Sequence, residues 1–578
     1  MNGLRSIIYI STTLLATIAA ICSAQAQDLK DSSTVDPRVR KYISATRVVW
    51  KTPTVTNTEA LLLQQAAQIA MKEDKVCILH KDEGILLDFG KEIHGGIQIF
   101  CAKTTTGKAA KIRVRFGESV GEAMSEIGGK DNATNDHAIR DQETLIPSMG
   151  MAEIGNTGFR FVRIDSKDTA DIFLKLVRGI LVIRELEYKG SFKCNDETLN
   201  AIWNTGAYTV QLNMQEYLWD GIKRDRLVWV GDMHPEVMTI NAVFGYNEVV
   251  PKSLDYVKSI TPLPEWMNGI SSYSMWWLLI QHSWYLHHGD SKYLEAQKPY
   301  LTGLLKQIMR YADPKKGEQL DGWRFLDWAS DGQKKTLHAG LHALMILTLE
   351  KGAELSGYLK DPLLKDECLK TAATLKKHKP DPDGAKQAAA LMVLANLVEA
   401  KLYNQKVLSV DEYKGVSTFY GYYVLQARAK AGDMVGSLNL IRKYWGGMLD
   451  LGATTFWEDF DLSWTSNSGR IDELRPTGKQ DIHGDFGGYC YKGFRHSLCH
   501  GWASGPTPFL SEYVLGIKVM APGCKIIKID PQLGDLAWVE GSFPTPYGVL
   551  KVKHVKQSDG SIKTEVDAPK EITVVYNK

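Results

Sequence analysis

No Cys-x-x-Cys pair and no His-Glu-x-x-His segment occurs in the 578 residues. Neither a zinc site nor a dithiol centre therefore has the ligand spacing it needs, and no metal or cofactor is expected. There is no excess of one charge: 69 Lys+Arg stand against 67 Asp+Glu. That balance offers no electrostatic footprint for nucleic acid or for an anionic membrane surface. Beyond the N-terminus, no segment is long and apolar enough to read as membrane-spanning. Cysteine is sparse. With Cys22 set aside, Cys77, Cys101, Cys194, Cys368, Cys490, Cys499 and Cys524 form an odd, irregularly spaced set. Such a set is no disulfide framework, so buried free thiols with at most one incidental bridge are expected.

What is present is ordinary soluble protein: 44% hydrophobic and 24% charged residues, over a length that suggests two to four domains at about 150 residues each. Arg5, the apolar run 7–21 and Ala24-Gln25-Ala26 read as a signal peptide over 1–26. Ile21 is too large for the position before a lipidated cysteine. Export to a bacterial periplasm is the expectation.

Residues 28–190 read as a β-sandwich domain. Runs at 85–90, 94–101, 111–116, 158–164 and 180–186 have strand character, with Gly-rich turns between them and a helix over 60–72. Residues 193–515 change to helical periodicity, at 198–216, 273–288, 293–311, 337–355, 385–402, 422–430 and 434–446. About twelve helices of about 27 residues each, loops included, fit that length. No fixed sequence period appears, so a closed (α/α)6 barrel is expected over an open solenoid. Residues 516–578 return to β at 526–529, 548–554 and 572–576, a second, C-terminal β-sandwich. The fold class is multi-domain α+β.

Thirteen of the 15 tryptophans lie in the helical region. Trp276, Trp277 and Trp284 sit within a helix and suit a core. Trp323, Trp328, Trp457 and Trp464 stand in loops near acidic residues, where flat aromatic faces suit stacking on sugar rings. The densest segment is Asp220-Gly-Ile-Lys-Arg-Asp-Arg-Leu-Val-Trp-Val-Gly-Asp232, which interleaves acids, Lys223, Arg224, Arg226 and Trp229. A solvated charged loop would not carry so much apolar surface. A second cluster, Gly452-Ala-Thr-Thr-Phe-Trp-Glu-Asp-Phe-Asp461, holds Trp457 and Glu458. A third feature places His500 and Trp502 before a Gly/Pro break, and Asp327-Trp328 is a similar acid–aromatic pair. Acidic clusters on two loops facing one mouth meet the need of glycosidic cleavage. One carboxylic acid protonates the leaving oxygen; one carboxylate activates water or attacks the anomeric carbon.

Together these segments resemble the α-L-rhamnosidases of glycoside hydrolase family 78, six-hairpin glycosidases. The family motif Asp-Cys-Pro-x-Arg-Glu-Arg-Leu-Gly-Trp-x-Gly-Asp aligns without a gap on 220–232. Gly-Ala-Thr-Thr-x-Trp-Glu aligns on 452–458, and 497–516 is similar to the family's last helical segment. The resemblance implies inversion, with Asp225 at the general-acid position and Glu458 at the general-base position. It places Asp220 and Asp232 on sugar hydroxyls, Trp229 as a wall and His500 as a sugar contact. Arg224, Glu236, Asp327, Trp328, Trp457 and Trp502 complete the expected substrate-binding set. The expected activity is removal of terminal α-L-rhamnose, or a related deoxysugar, from a plant or algal glycan. The sequence departs from the family at Asp225, where glutamate is usual. The shorter side chain stands between Arg224 and Arg226, and cations turned toward a carboxyl lower its pKa, against the need of a general acid. Either the arginines point elsewhere, or another acid serves; Glu236 is the substitute. Two other readings remain open. A polysaccharide lyase would use His500 with Arg224 and Lys223 and would release an unsaturated uronate. A non-catalytic glycan-binding homologue would bind without turnover.

Overall fold

The computed structural model describes residues 36–128, 133–488 and 492–576. The expected signal peptide and Cys490 lie outside these. Strands fill the first region, helices the second and strands again the third, a multi-domain α+β arrangement. Among the described residues, no helix is long and apolar enough to cross a membrane. Cys77, Cys101, Cys194, Cys368, Cys499 and Cys524 are free and buried.

The first region is one eight-stranded sheet: β1 (Arg38–Ser44), β2 (Arg47–Lys51), β3 (Cys77–Leu79), β4 (Gly84–Thr104), β5 (Ala110–Gly117), β6 (Asp141–Ile146), β7 (Gly150–Ser166) and β8 (Ile172–Arg184). Its order is β1-β8-β4-β7-β5-β6, with β2 added on β4 and β3 on β8. The runs 85–90 and 94–101, read as two strands with a turn between, belong to the single strand β4. Its pairing with β7 shifts register between Asp88 and Ile93 and again between Gly95 and Ile97. The glycines of this stretch serve the bend and a close approach rather than a turn. Gly90 has φ +83°, and a Cβ on Gly95 would lie 2.2 Å from the Ile180 carbonyl oxygen. Bulges that bend long strands fold the sheet over its own apolar face. Ile85, Leu87, Ile97, Ile112, Phe116 and Phe159 meet in that core, each worth about 1.5–3 kcal/mol of burial.

The helix expected over 60–72 is only a short 3-10 turn, Thr58–Leu62. Side chains take over the backbone's partners beyond it. Gln65 donates to the carbonyls of Ala60 (2.8 Å) and Lys175 (2.9 Å), and Lys175 donates to Gln68 O and to Glu73.

The helical region begins at Glu197–Asn213, where Asp196 accepts from the backbone N–H of Thr198 and Leu199. Ser271–His288, Ser291–Arg310 and Lys334–Tyr358 match the periodicity closely. Three further helices lie outside the helical runs read from the sequence: Met233–Val243, Val249–Ser259 and Pro362–Leu375. The helix expected over 385–402 breaks after Leu394, because Asn396 takes a left-handed φ of 53° and Lys430 bonds its side chain and the Val393 carbonyl.

The last region holds a three-stranded sheet (Ile517–Val519, Ile526–Ile529, Thr573–Tyr576) and a four-stranded one. The fourth strand of the latter is β9 (Ser191–Cys194), which precedes the helices and pairs antiparallel with Trp538–Thr545. This strand straddles the expected 190/193 boundary. One apolar core runs from Phe192 through the helices to Ile572. The separate sheet core takes in Leu212, Ile222 and Cys499 from the helical region.

Gly95→Ala is expected to cost about 2–3 kcal/mol through backbone strain and overpacking. Urea unfolding would report this as a lower midpoint. An unchanged midpoint would mean that β4 and β8 move apart freely.

Candidate active site

The loop 220–232 joins Glu197–Asn213 to Met233–Val243 and is anchored from both sides. Asp220 closes it on itself: its N–H donates to Leu227 O (3.1 Å), and its Oδ1 accepts from Leu227 N–H (3.0 Å). Ile222 enters the sheet core, where Gly158 N–H donates to its carbonyl at 3.0 Å. A Cβ on Gly158 would stand 2.7 Å from Ile222 Cγ1, so this approach needs glycine.

Lys223 is buried with its ammonium 3.0 Å from Glu118 and 3.5 Å from Glu122, and donates to the carbonyls of Phe494 (2.8 Å) and His496 (2.5 Å). With Ile222 and Lys223 held on the sheet side, Asp225 and Arg226 take left-handed φ values of 53° and 54°. Two such residues in a row cost about 1–3 kcal/mol each, and strain of this kind gathers at functional sites.

The loop faces a cavity of 120 Å³. Eight of the sequence-predicted residues line it: Asp220, Asp225, Trp229, Asp232, Trp328, Glu458, His500 and Trp502. Asp225 Oδ2 accepts from Trp229 Nε1 (3.2 Å), and its Oδ1 lies 3.1 Å from Arg224 Nη1. Asp232 accepts from the Tyr273 hydroxyl (2.7 Å) and meets His500 Nε2 at 3.1 Å. Gly231 makes room for that tyrosine, since a Cβ there would fall 2.3 Å from its ring. The Glu458 carboxylate pairs with Arg224 Nη2, and its carbonyl accepts from Trp502 Nε1 at 2.9 Å. Trp502 in turn stacks on Phe419, with ring centroids 5.0 Å apart.

The environment divides the acids. Burial pushes the Asp220 carboxyl well above its ordinary value, against the pull of His500 and with Asp225 and Asp232 adding to the rise. Burial also raises Asp232, although His500 and Tyr273 bond to it. Glu458 goes the other way. Burial favours its neutral form, but Arg224, His500 and His496 outweigh it and hold the carboxyl at about 2. His500 is raised: burial opposes its charge, and Glu458, Asp232 and Asp220 prevail. Arg226, the second neighbour of Asp225, points away and donates to the carbonyls of Asn156 (3.0 Å) and His137 (2.8 Å).

Four predicted residues do not line the cavity. Arg224 lies beneath it, engaged by Glu458, Asp225 and the Arg495 carbonyl. Glu236, the substitute acid, is fully buried behind Gly501, whose Cβ would collide with Glu236 Oε1, and it accepts from Asn213 (3.3 Å). Trp457 is core, edge-on to Phe460. Asp327 caps the turn Trp328–Ser330 and accepts from Ser417. Of the other loop tryptophans, Trp323 lines the cavity, and Trp464 instead stacks on Phe486. Ile270, Tyr273 and Phe325 line it as well and had no local signature. Tyr273 stands in the first turn of its helix, and Ile270 is joined to Trp323 by a β-bridge.

An apolar-walled cavity with acids shifted in opposite directions beside a histidine shifted upward suits a hydroxylated ring and acid–base cleavage of a bond next to it. The comparisons agree in class. Residues 187–362 match the family model described as the bacterial alpha-L-rhamnosidase six-hairpin glycosidase domain. Residues 516–575 match the bacterial alpha-L-rhamnosidase C-terminal domain. The resemblance to the family-78 α-L-rhamnosidases, a family of glycoside hydrolases, is thereby upheld on both parts of the chain. A curated alpha-L-rhamnosidase of Alteromonas sp. (strain LOR) is 24% identical over 533 residues, 82% of this chain and 54% of its own. The chain thus spans about half the length of that relative. Among solved structures, the GH78 family rhamnosidase of Bacillus sp. GL1 superposes with a TM-score of 0.69 at 21% identity, over 90% of this chain and 55% of that one. The rhamnosidase from Klebsiella oxytoca with rhamnose bound gives 0.66 at 19% identity, over 82% and 96%. These likenesses show a shared fold.

Lys223→Met would leave Glu118 and Glu122 buried without their cation. The expected loss is about 3–5 kcal/mol of stability, read by urea unfolding. A loss under about 1 kcal/mol would show that these carboxyls simply take up protons and that the ammonium is dispensable.

Proposed function

We propose that this protein is an exported exo-glycosidase that removes terminal α-L-rhamnosyl, or closely related deoxysugar, residues from plant or algal glycans with inversion. In this reading the helical region closes as an (α/α)6 barrel and the cavity lies in its mouth. One observation carries the proposal: Asp225 and Glu458, from loops far apart in sequence, line one small cavity together with Trp229, Trp328 and Trp502. A volume of 120 Å³ suits a single sugar ring, as an exo-acting enzyme requires.

Glu458, held as a carboxylate, takes a proton from water as the water oxygen bonds to the anomeric carbon. Asp225 gives its proton to the glycosidic oxygen as the carbon–oxygen bond breaks. The proton gained by Glu458 and the one lost by Asp225 balance through solvent. Asp220 and Asp232, with raised pKa values, can donate to sugar hydroxyls as well as accept from them. The sequence departure at Asp225 is eased by Arg226 turning away, although Arg224 stays close. His500 with a raised pKa is poorly suited to act as the base of a lyase.

Proton NMR of an aryl α-L-rhamnoside digest is expected to show β-L-rhamnose first. Early α-L-rhamnose would overturn inversion. Glu458→Gln is expected to lower kcat by about 10²–10⁴-fold, and full activity in that variant would remove Glu458 as the base.

A further inference from the structure

Asp225 has a partner from outside the helical region. His137 lies in the stretch before β6, on the sheet side, and its imidazole reaches across to the site loop. The Asp225 backbone N–H donates to Nδ1 at 2.9 Å, and Asp225 Oδ1 lies 3.0 Å from the same nitrogen. The far nitrogen, Nε2, receives Arg495 Nη2 at 3.2 Å and lies 3.6 Å from Asp136 Oδ2. Arg495 also pairs with Asp136 at 2.7 Å, and Arg226 holds the His137 carbonyl at 2.8 Å. The charged groups facing the pair are therefore Arg224, Arg226, Arg495 and Asp136, with Asp220 near enough to feel Asp225.

Nδ1 has one in-plane lone pair, and the Asp225 N–H takes it, so in this arrangement the ring holds Asp225 through its backbone. The same edge of the ring stands 3.0 Å from Asp225 Oδ1 and limits where the carboxyl can turn.

We propose that His137 is a positioning residue for Asp225: its Nδ1 holds the Asp225 backbone N–H and its ring confines Oδ1, which aims the carboxyl that passes a proton to the leaving group. The inference rests on the reading of Asp225 as general acid. During cleavage the Asp225 proton goes to the glycosidic oxygen, the carbon–oxygen bond electrons stay with that oxygen, and Asp225 is left as a carboxylate. The His137 side chain is 30% exposed and lines an open groove of 380 Å³ with Asn135, Gln142, Asn156 and Arg226. The clamp also accounts for how the loop keeps two left-handed residues together.

Leaving-group dependence separates this role from a structural one, because an acidic phenol departs with little proton assistance and a poor leaving group does not. The probes are aryl α-L-rhamnosides whose phenols have pKa values from about 5 to about 10, together with methyl α-L-rhamnoside. His137→Ala is expected to lower kcat/KM about 10- to 100-fold on the poorest leaving groups and less than about 3-fold on the most acidic phenol. His137→Asn, which returns a hydrogen-bond acceptor near the Nδ1 position, is expected to recover most of the loss. Equal slowing of all substrates by His137→Ala, or none, would overturn the proposal, as would failure of the Asn variant where Ala shows the selective loss. Asp225→Asn serves as the separate control. If it keeps its activity on poor leaving groups, the acid assignment itself falls. If it loses that activity while His137→Ala does not, only the role of His137 falls.

Discussion

The buried ammonium of Lys223 is the constraint on which the site depends. It ties three chain segments at one point: the site loop that carries it, Glu118 and Glu122 from the sheet side, and the carbonyls of Phe494 and His496 from the stretch before His500. Glu118, Glu122 and His483 stand close enough together, and are of the right types, to hold a metal ion. The lysine ammonium lies within 3.5 Å of all three and supplies the positive charge among them. Burial raises Glu118 to about 6 with Lys223 pulling against it, and it drives the His483 ring well below its ordinary value. Buried ion pairs of this kind add little net stability over an apolar replacement, but they penalise every arrangement that separates the partners. What Lys223 contributes is register: with it held on the sheet side, Arg224 reaches Glu458 and Asp225 faces the cavity.

Arg224 works in the same way one step nearer the chemistry. A single planar guanidinium spans Asp225 and Glu458, and its Nε donates to the Arg495 carbonyl. Fork geometry suits this better than a point charge would. It fixes the two carboxyl groups relative to each other, lowers Glu458 and leaves the cavity wall to aromatic rings. Asp220 and Asp232, deprived of such a cation and deeply buried, move the opposite way. Asp220, Asp232 and Glu458, around one small space, are thus shifted in different directions by their neighbours rather than by residue type.

Much of this was legible in the sequence, and the reasons for the rest are physical. Dense alternation of acid, base and tryptophan marked 220–232 because such a mixture is costly in a core. Alternating or uniformly apolar runs marked the strands. The bend in β4 was hidden because Gly90 and Gly95 have the same appearance in a turn as at a bulge or a close approach. Met233–Val243 was missed because it is buried nearly all round and shows no polar face. Trp457 and Asp327 had the composition of site residues but point into packing and a turn cap. Tyr273, Ile270 and Phe325 have ordinary neighbours, and only the tertiary arrangement brings them to the cavity. His137 belongs to another layer of the molecule altogether, so no local pattern could have joined it to Asp225.

The pairing of β9 with Trp538–Thr545 sets an order on biosynthesis. β9 is made before the helical region, yet its hydrogen-bonding edge toward the segment 538–545 stays open until that segment has left the ribosome. Throughout elongation of the helical region the nascent chain therefore carries an unpaired strand edge, the kind of surface that recruits wrong partners. The final strands act as a latch that closes both ends of the helical region at once, and a chain cut short before them would lose that closure even with every cavity residue already in place.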